Sequence, residues 1–222
     1  MKLSPRTLLL PALLAAAFGS LSACAPLVVG GATVGTMAML DRRTSGTQVE
    51  DETIELRAGS RVRDAVPAGH INVSSYNRQV LITGEVPTEA AKQQAGDLVA
   101  KVENVKGVVN ELGVMGATSM TARSSDTFIT GQVKASILDD KNLYSGAFKV
   151  VTERGVVYLM GRVTRTEADR ATQIARGVGG VQRVVRIFEI LSEEDMRQLA
   201  AQGTVVPAPA ASTPASPASS AR

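Results

Sequence analysis

Apolar and polar residues alternate with period two, the mark of a half-buried strand, in two stretches of the chain that match each other position by position. Ile71, Val73, Val80, Ile82, Gly84 and Val86 read as two strands, and Phe148, Val150, Val157, Leu159, Gly161 and Val163 repeat them 77 residues later. Turns fall at Asn77-Arg78 and Arg154-Gly155. Helical spacing follows each pair: Ala95, Leu98, Val99 and Val102 have counterparts 76 residues on in Ala171, Ile174, Ala175 and Val178. Residues at i, i+3, i+4 and i+7 share one side of a helix, so each set makes a single apolar face. Strand-like runs over residues 105–112 and 181–190 close the two copies. A further helix leads each copy, with Ile54, Ala58, Val62 and Ala65 inward in the first, and Ile129, Val133 and Ile137 inward in the second, where the helix is set to begin near Asp126.

The order helix, strand, strand, helix, strand predicts an α+β fold of two tandem αββαβ modules, over residues 49–117 and 124–192. In each, a three-stranded sheet covers its apolar face with two helices. Units of this size are marginal alone, which suggests that the copies pack together. Charge favours that contact. Residues 49–116 hold 7 Lys/Arg against 10 Asp/Glu, and residues 124–191 hold 10 against 7, so the modules are −3 and +3. Contact carried by charge would loosen as salt rises.

The flanks have a different character. Lys2 and Arg6, an apolar run from residue 8 to 18 and small residues up to Cys24 make an export signal over residues 1–23. The apolar run is too short for a spanning helix, which needs about 20 residues. Leu21-Ser22-Ala23-Cys24 resembles the lipobox of bacterial lipoproteins, which implies cleavage before Cys24 and a covalent diacylglyceryl and N-acyl lipid on it as the only non-protein group. Ala25, where an inner-membrane lipoprotein would carry Asp, implies an outer-membrane address. Cys24 is the only cysteine, so no internal disulfide contributes to stability. Residues 24–48 read as an apolar tether passing into a polar linker. Residues 193–203 read as a short helix capped by Ser192, and the Ala/Pro/Ser-rich residues 204–222 as a disordered tail. The formal charge of +3 falls to about +1 once Lys2 and Arg6 leave, which argues against nucleic acid as a partner.

With the repeat in view, the chain resembles the BON-domain family, whose αββαβ module occurs in bacterial envelope and osmotic-stress proteins. The residues that carry the resemblance are Gly46-Thr47-Gln48-Val49-Glu50-Asp51, Ile71-Asn72-Val73, Asp126-Thr127-Phe128-Ile129-Thr130 and Tyr158-Leu159-Met160-Gly161-Arg162-Val163-Thr164. Two copies behind a lipobox resemble the family's outer-membrane lipoproteins. The resemblance implies a periplasm-facing lipoprotein that binds anionic phospholipid through its second module and supports envelope integrity. It also implies division-site localisation and contact with the barrel-assembly machinery.

The residues of the second leading helix suit that implication. Phe128, Gly131, Ala135 and Leu138 fall within an arc of about 80° opposite the core face, with Lys134 and Lys141 beside them. An apolar stripe edged by lysines is how a helix lies in an anionic membrane interface. In the first module the corresponding side reads Thr53, Leu56, Ser60 and Arg63, which is mostly polar. The family places a membrane-contacting aromatic at the position of Phe128, whereas Gln132 stands where the resemblance implies a lysine. Arg162, Arg165 and Arg170 extend the basic surface or form a solvated face. The alternative use of the stripe is packing against the other module or the helix after Ser192, and the alternative function is that of a periplasmic protein-interaction adaptor.

Little suggests catalysis. His70 is the only histidine and has no cysteine to share a metal with, so it reads as a turn residue and no metal site is expected. Gly177-Val178-Gly179-Gly180 runs from helix to strand, the reverse of a phosphate loop. No Gly-x-Ser-x-Gly elbow is present, so the chain is not read as an enzyme.

Overall fold

The computed structural model describes residues 41–201. Cys24, the export signal and the Ala/Pro/Ser tail lie outside them. The first module contains α1 (Ser45–Ala65), β1 (His70–Tyr76), β2 (Gln79–Val86), α2 (Glu89–Ala100), β3 (Gly107–Asn110) and β4 (Gly113–Val114). The second contains α3 (Met120–Asp139), a 3₁₀ turn (Ser145–Ala147), β5 (Phe148–Glu153), β6 (Val156–Val163), α4 (Arg165–Gly177) and β7 (Arg183–Ile190), and α5 (Glu193–Ala201) follows it.

Both sheets are mixed. β1 runs antiparallel to β2, and β3 and β4 run parallel to β2. The second sheet repeats the arrangement in the order β5-β6-β7. Its third strand is continuous through eight residues, Arg183 to Ile190. In the first module the expected single strand is instead broken at Glu111-Leu112. The break lies opposite Thr83 and Gly84, the latter with a φ of 113°, while the ladder between β1 and β2 continues through both residues. Both Gly84 and its counterpart Gly161 are needed because a Cβ there would meet a backbone carbonyl, at 1.9 Å from His70 O or 2.5 Å from Ala147 O.

A buried aspartate on each leading helix fixes the turn between the first two strands. Asp51 accepts from the N–H groups of Asn77 and Arg78 at 2.8 and 2.7 Å, and Asp126 from those of Arg154 and Gly155 at 2.7 and 2.8 Å. All four turn residues have positive φ, the conformation of the two-residue hairpin turn whose twist matches its strands. An ionised carboxylate accepting from two N–H groups holds such a turn more firmly than neutral partners would.

The modules stack sheet against sheet, with helices outermost on both sides. Val80 and Ile82 face the α1/α2 core, while Leu81 between them faces the other module. Val157 and Leu159 likewise face α3 and α4, and Tyr158 and Met160 face inward to meet Leu81 and Tyr76. β2 and β6 are thus buried on both faces, which gives three apolar layers of contact in place of two separate cores.

Charge complementarity surrounds the central layer. Glu55 pairs with Lys149, Glu85 with Arg154 at 3.8 Å and Glu111 with Arg183 at 3.4 Å. In all three pairs the first module supplies the carboxylate and the second the cation, as their opposite net charges lead one to expect.

Two expected boundaries change. Residues 41–48 do not form a free linker: α1 begins at Ser45, capped by Thr44, and Arg42 and Arg43 anchor the chain on both modules. Arg43 donates to Asp51 at 2.8 Å and lies 4.2 Å over the Tyr76 ring, whereas Arg42 reaches Glu167 in the second module. The second leading helix starts at Met120 rather than near Asp126, because Ser119 caps it by accepting from the Ala122 N–H.

Candidate functional site

α3 lies in an outer layer and buries Asp126, Ile129, Val133 and Ile137. Its opposite face is open. Phe128 and Leu138 are 66% and 67% exposed, and Gly131, Lys134, Ala135 and Lys141 are exposed as well. The stripe therefore packs neither on the first module nor on α5, whose apolar residues Met196 and Leu199 gather on Leu191.

The earlier helix start adds a residue that the sequence reading missed. By helical geometry Met120 falls on the same arc as Leu138, and it is 74% exposed. Placing the helix start at Ser119 from its capping chemistry would have found it. Gly131 sits in the middle of this face, and a Cβ on it would meet nothing within 4 Å. No packing among the described residues requires a glycine there, although one in a helix interior costs about 1 kcal/mol relative to alanine. Its effect is to bare the backbone at the centre of the stripe.

Charge is unevenly placed around that face. Lys134 edges one side, and by the same geometry Gln132 and Asp139 edge the other; the expected second lysine, Lys141, lies past the helix end at Asp139, where Asp140 turns extended, so helical spacing does not set its place. Neither lysine makes an ion pair among the described residues. Arg162 and Arg170, by contrast, are paired with Glu189 and Asp140 at 2.9 and 2.8 Å and add no uncompensated charge. Beside the stripe, Lys134, Ile137, Leu138, Ser145, Gly146, Phe148 and Val150 line an open cavity of about 260 Å³.

The outward side of α1 differs. Thr53, Ser60 and Arg63 separate its apolar residues, of which Leu56 and Val49 are exposed. Val49 lies on that side too, four residues before Thr53.

A second group of ionisable residues lies at the seam between the sheets. Burial and the nearby charge of Glu85 push the Glu153 carboxyl above its ordinary range. Burial would also raise Glu85, but the Thr118 hydroxyl and N–H, His70 and Arg154 outweigh it and hold this carboxyl low.

A family model described as the BON domain matches residues 50–116 and again residues 125–191. The chain is similar to the outer membrane lipoprotein DolP of Haemophilus influenzae, with 38% identity over 77% of this chain and 90% of that protein. It is also similar to the 21 kDa hemolysin of Actinobacillus pleuropneumoniae, with 34% identity over 67% of this chain and 78% of that protein. Similarity extends to the osmotically-inducible protein Y of Escherichia coli, at 33% identity over 60% of this chain and 67% of that protein.

Proposed function

The chain belongs to the BON-domain family, and from that premise we propose that it is a periplasm-facing outer-membrane lipoprotein, held by acyl chains on Cys24, whose second module binds anionic phospholipid through α3. The observation that carries the lipid reading is the exposed stripe of Met120, Phe128, Gly131, Ala135 and Leu138, with Lys134 along one edge and Lys141 exposed just past the helix end. Similarity to the outer membrane lipoprotein of Haemophilus supports the compartment.

Full burial of a side chain such as Phe or Leu is worth about 1.5–3 kcal/mol, so inserting two of them supports a weak but useful affinity. Each lysine near an anionic surface adds about 1 kcal/mol. Such contact is too weak to be the sole anchor. It suits a protein that acyl chains already hold, and it would set orientation or lateral position.

Flotation with vesicles tests the reading. Wild type should float more with anionic than with zwitterionic vesicles, and Phe128→Glu should lower the anionic partition by at least about tenfold, the equivalent of roughly 1.4 kcal/mol. Equal flotation of the two proteins would remove the lipid role from α3. A second reading, an adaptor that binds an envelope protein such as the barrel-assembly or division machinery, draws on Val49 and Leu56 exposed on α1. Crosslinks to a protein partner that survive Phe128→Glu but not Leu56→Glu would favour it.

A further inference from the structure

The seam between the modules brings together ligand types that lie far apart in sequence. His70 opens β1 and pairs with Glu85 across the β1–β2 ladder, so their side chains leave the sheet on one side. Glu153 closes β5 in the other module. One donor atom from each of the three lies within 4.8 Å of the others. Glu85 and Glu153 are only 1% and 5% exposed.

Glu85 accepts from the Thr118 hydroxyl at Oε1 and from the Thr118 N–H at Oε2 at 3.2 Å, whereas the imidazole beside it has no such partner. The Nδ1 atom of His70 is buried and makes no hydrogen bond, although it stands 3.4 Å from Glu85 Oε2. Tetrahedral zinc has bonds of about 2.0–2.1 Å to imidazole and carboxylate, which sets its ligand atoms roughly 3.3 Å apart. His70 and Glu85 already have that spacing. Glu153 would reach the same point by side-chain rotation, giving up a 3.3 Å hydrogen bond from Asn72 Nδ2. A cavity of about 310 Å³, lined in part by His70, Asn72 and Glu153, supplies an entry path and room for a water as fourth ligand.

We propose that His70, Glu85 and Glu153 bind a divalent transition-metal ion of the zinc class, which ties the first module to the second. One imidazole and two carboxylates form a donor set that suits zinc better than magnesium, which favours oxygen alone. Two buried carboxylates from opposite modules gain from a dication that neutralises both. The competing charge is Arg154, whose Nε is 3.8 Å from Glu85 Oε1 and makes no hydrogen bond. The ion would displace it toward Met115 Sδ, which its guanidinium already contacts.

The test uses the mature, lipidated, full-length protein in detergent after treatment with a chelator. Titration with zinc chloride in a calorimeter should show one equivalent bound per chain, and zinc should raise the thermal unfolding midpoint where magnesium does not. Loss of an outer-shell partner typically lowers metal affinity about 10–100-fold, so loss of a ligand in His70→Ala or Glu153→Gln should cost at least that. Metal-free melts of both variants establish that they fold. Absence of saturable zinc binding by the wild type, or equal zinc affinity in folded variants and wild type, would overturn the proposal.

Discussion

Arg42 and Glu167 stand 125 residues apart in sequence and meet through two parallel hydrogen bonds, Nη1 to Oε2 at 2.7 Å and Nη2 to Oε1 at 2.6 Å. Arg42 is 1% exposed and also donates to the Arg162 carbonyl at 2.9 Å. Glu167 serves α4 too, since its side chain accepts from the Thr164 N–H in the capping box. The segment that enters the first module, residues 41–44, is thereby clasped to the second.

Breaking this pair from one side should be costly. Removing one partner of a buried ion pair destabilises by about 3–5 kcal/mol because the other charge remains buried. Arg42→Ala should lose about that much in urea unfolding, and a double-mutant cycle with Glu167→Gln should show that the two changes are not additive.

The pair also sets a direction for pH dependence. Burial would raise the Glu167 carboxyl, but Arg42 and the Thr164 N–H outweigh it and hold it below its ordinary value. Asp51 is likewise held low, with burial outweighed by the Ser75 hydroxyl, the turn N–H groups and Arg43. A depressed carboxylate contributes stability that is present above its unfolded-state pKa and lost as pH falls through the folded one. The urea midpoint should therefore drop as pH is lowered from about 6 to about 3.

Salt should matter less at the module interface than the charge asymmetry suggests. Half-exposed ion pairs such as Glu55–Lys149 and Glu111–Arg183 contribute about 0–1 kcal/mol each, whereas truncating a buried leucine costs about 2–5 kcal/mol. Leu81→Ala, with Glu55, Glu85 and Glu111 intact, should destabilise the protein more than a rise to about 1 M sodium chloride does. Both can be read from the same thermal melts.

Gly131→Ala should stabilise the protein by about 0.5–1 kcal/mol, since a Cβ there meets open space and alanine is the better helix former. The same variant should leave vesicle flotation unchanged or weaken it, because a methyl group adds no charge and slightly lifts the backbone from the surface. Circular dichroism melts and flotation separate the two effects.

Asp126→Ala should cost about 2–3 kcal/mol, as two turn N–H groups lose a charged acceptor in a buried setting. Hydrogen exchange should localise the loosening to the Arg154-Gly155 turn and the adjoining strand ends.

Much of the fold was legible because it is written in local periodicity. The period-two and helical patterns, together with the turn residues Asn77-Arg78 and Arg154-Gly155, placed the repeated elements. Helix starts were less legible: Thr44 and Ser119 are capping residues lying upstream of the first inward-facing positions, so periodicity alone began both helices late. The sheet-to-sheet contact had left a trace as well. The continuous apolar runs Val80-Leu81-Ile82 and Val156-Val157-Tyr158-Leu159-Met160 are those of strands buried on both faces, though alternation alone was read from them.

By itself, then, the sequence determined two αββαβ modules, their opposite charges, and a helix face carrying Phe128 and Leu138 away from its own core, because each depends on residues within a few turns of one another. Tertiary structure alone decided that these residues stay exposed, that Arg42 clasps Glu167, and that Glu153 stands beside His70 and Glu85. Those relationships depend on how two sheet faces stack, and stacking is a choice among many apolar surfaces that no local spacing encodes.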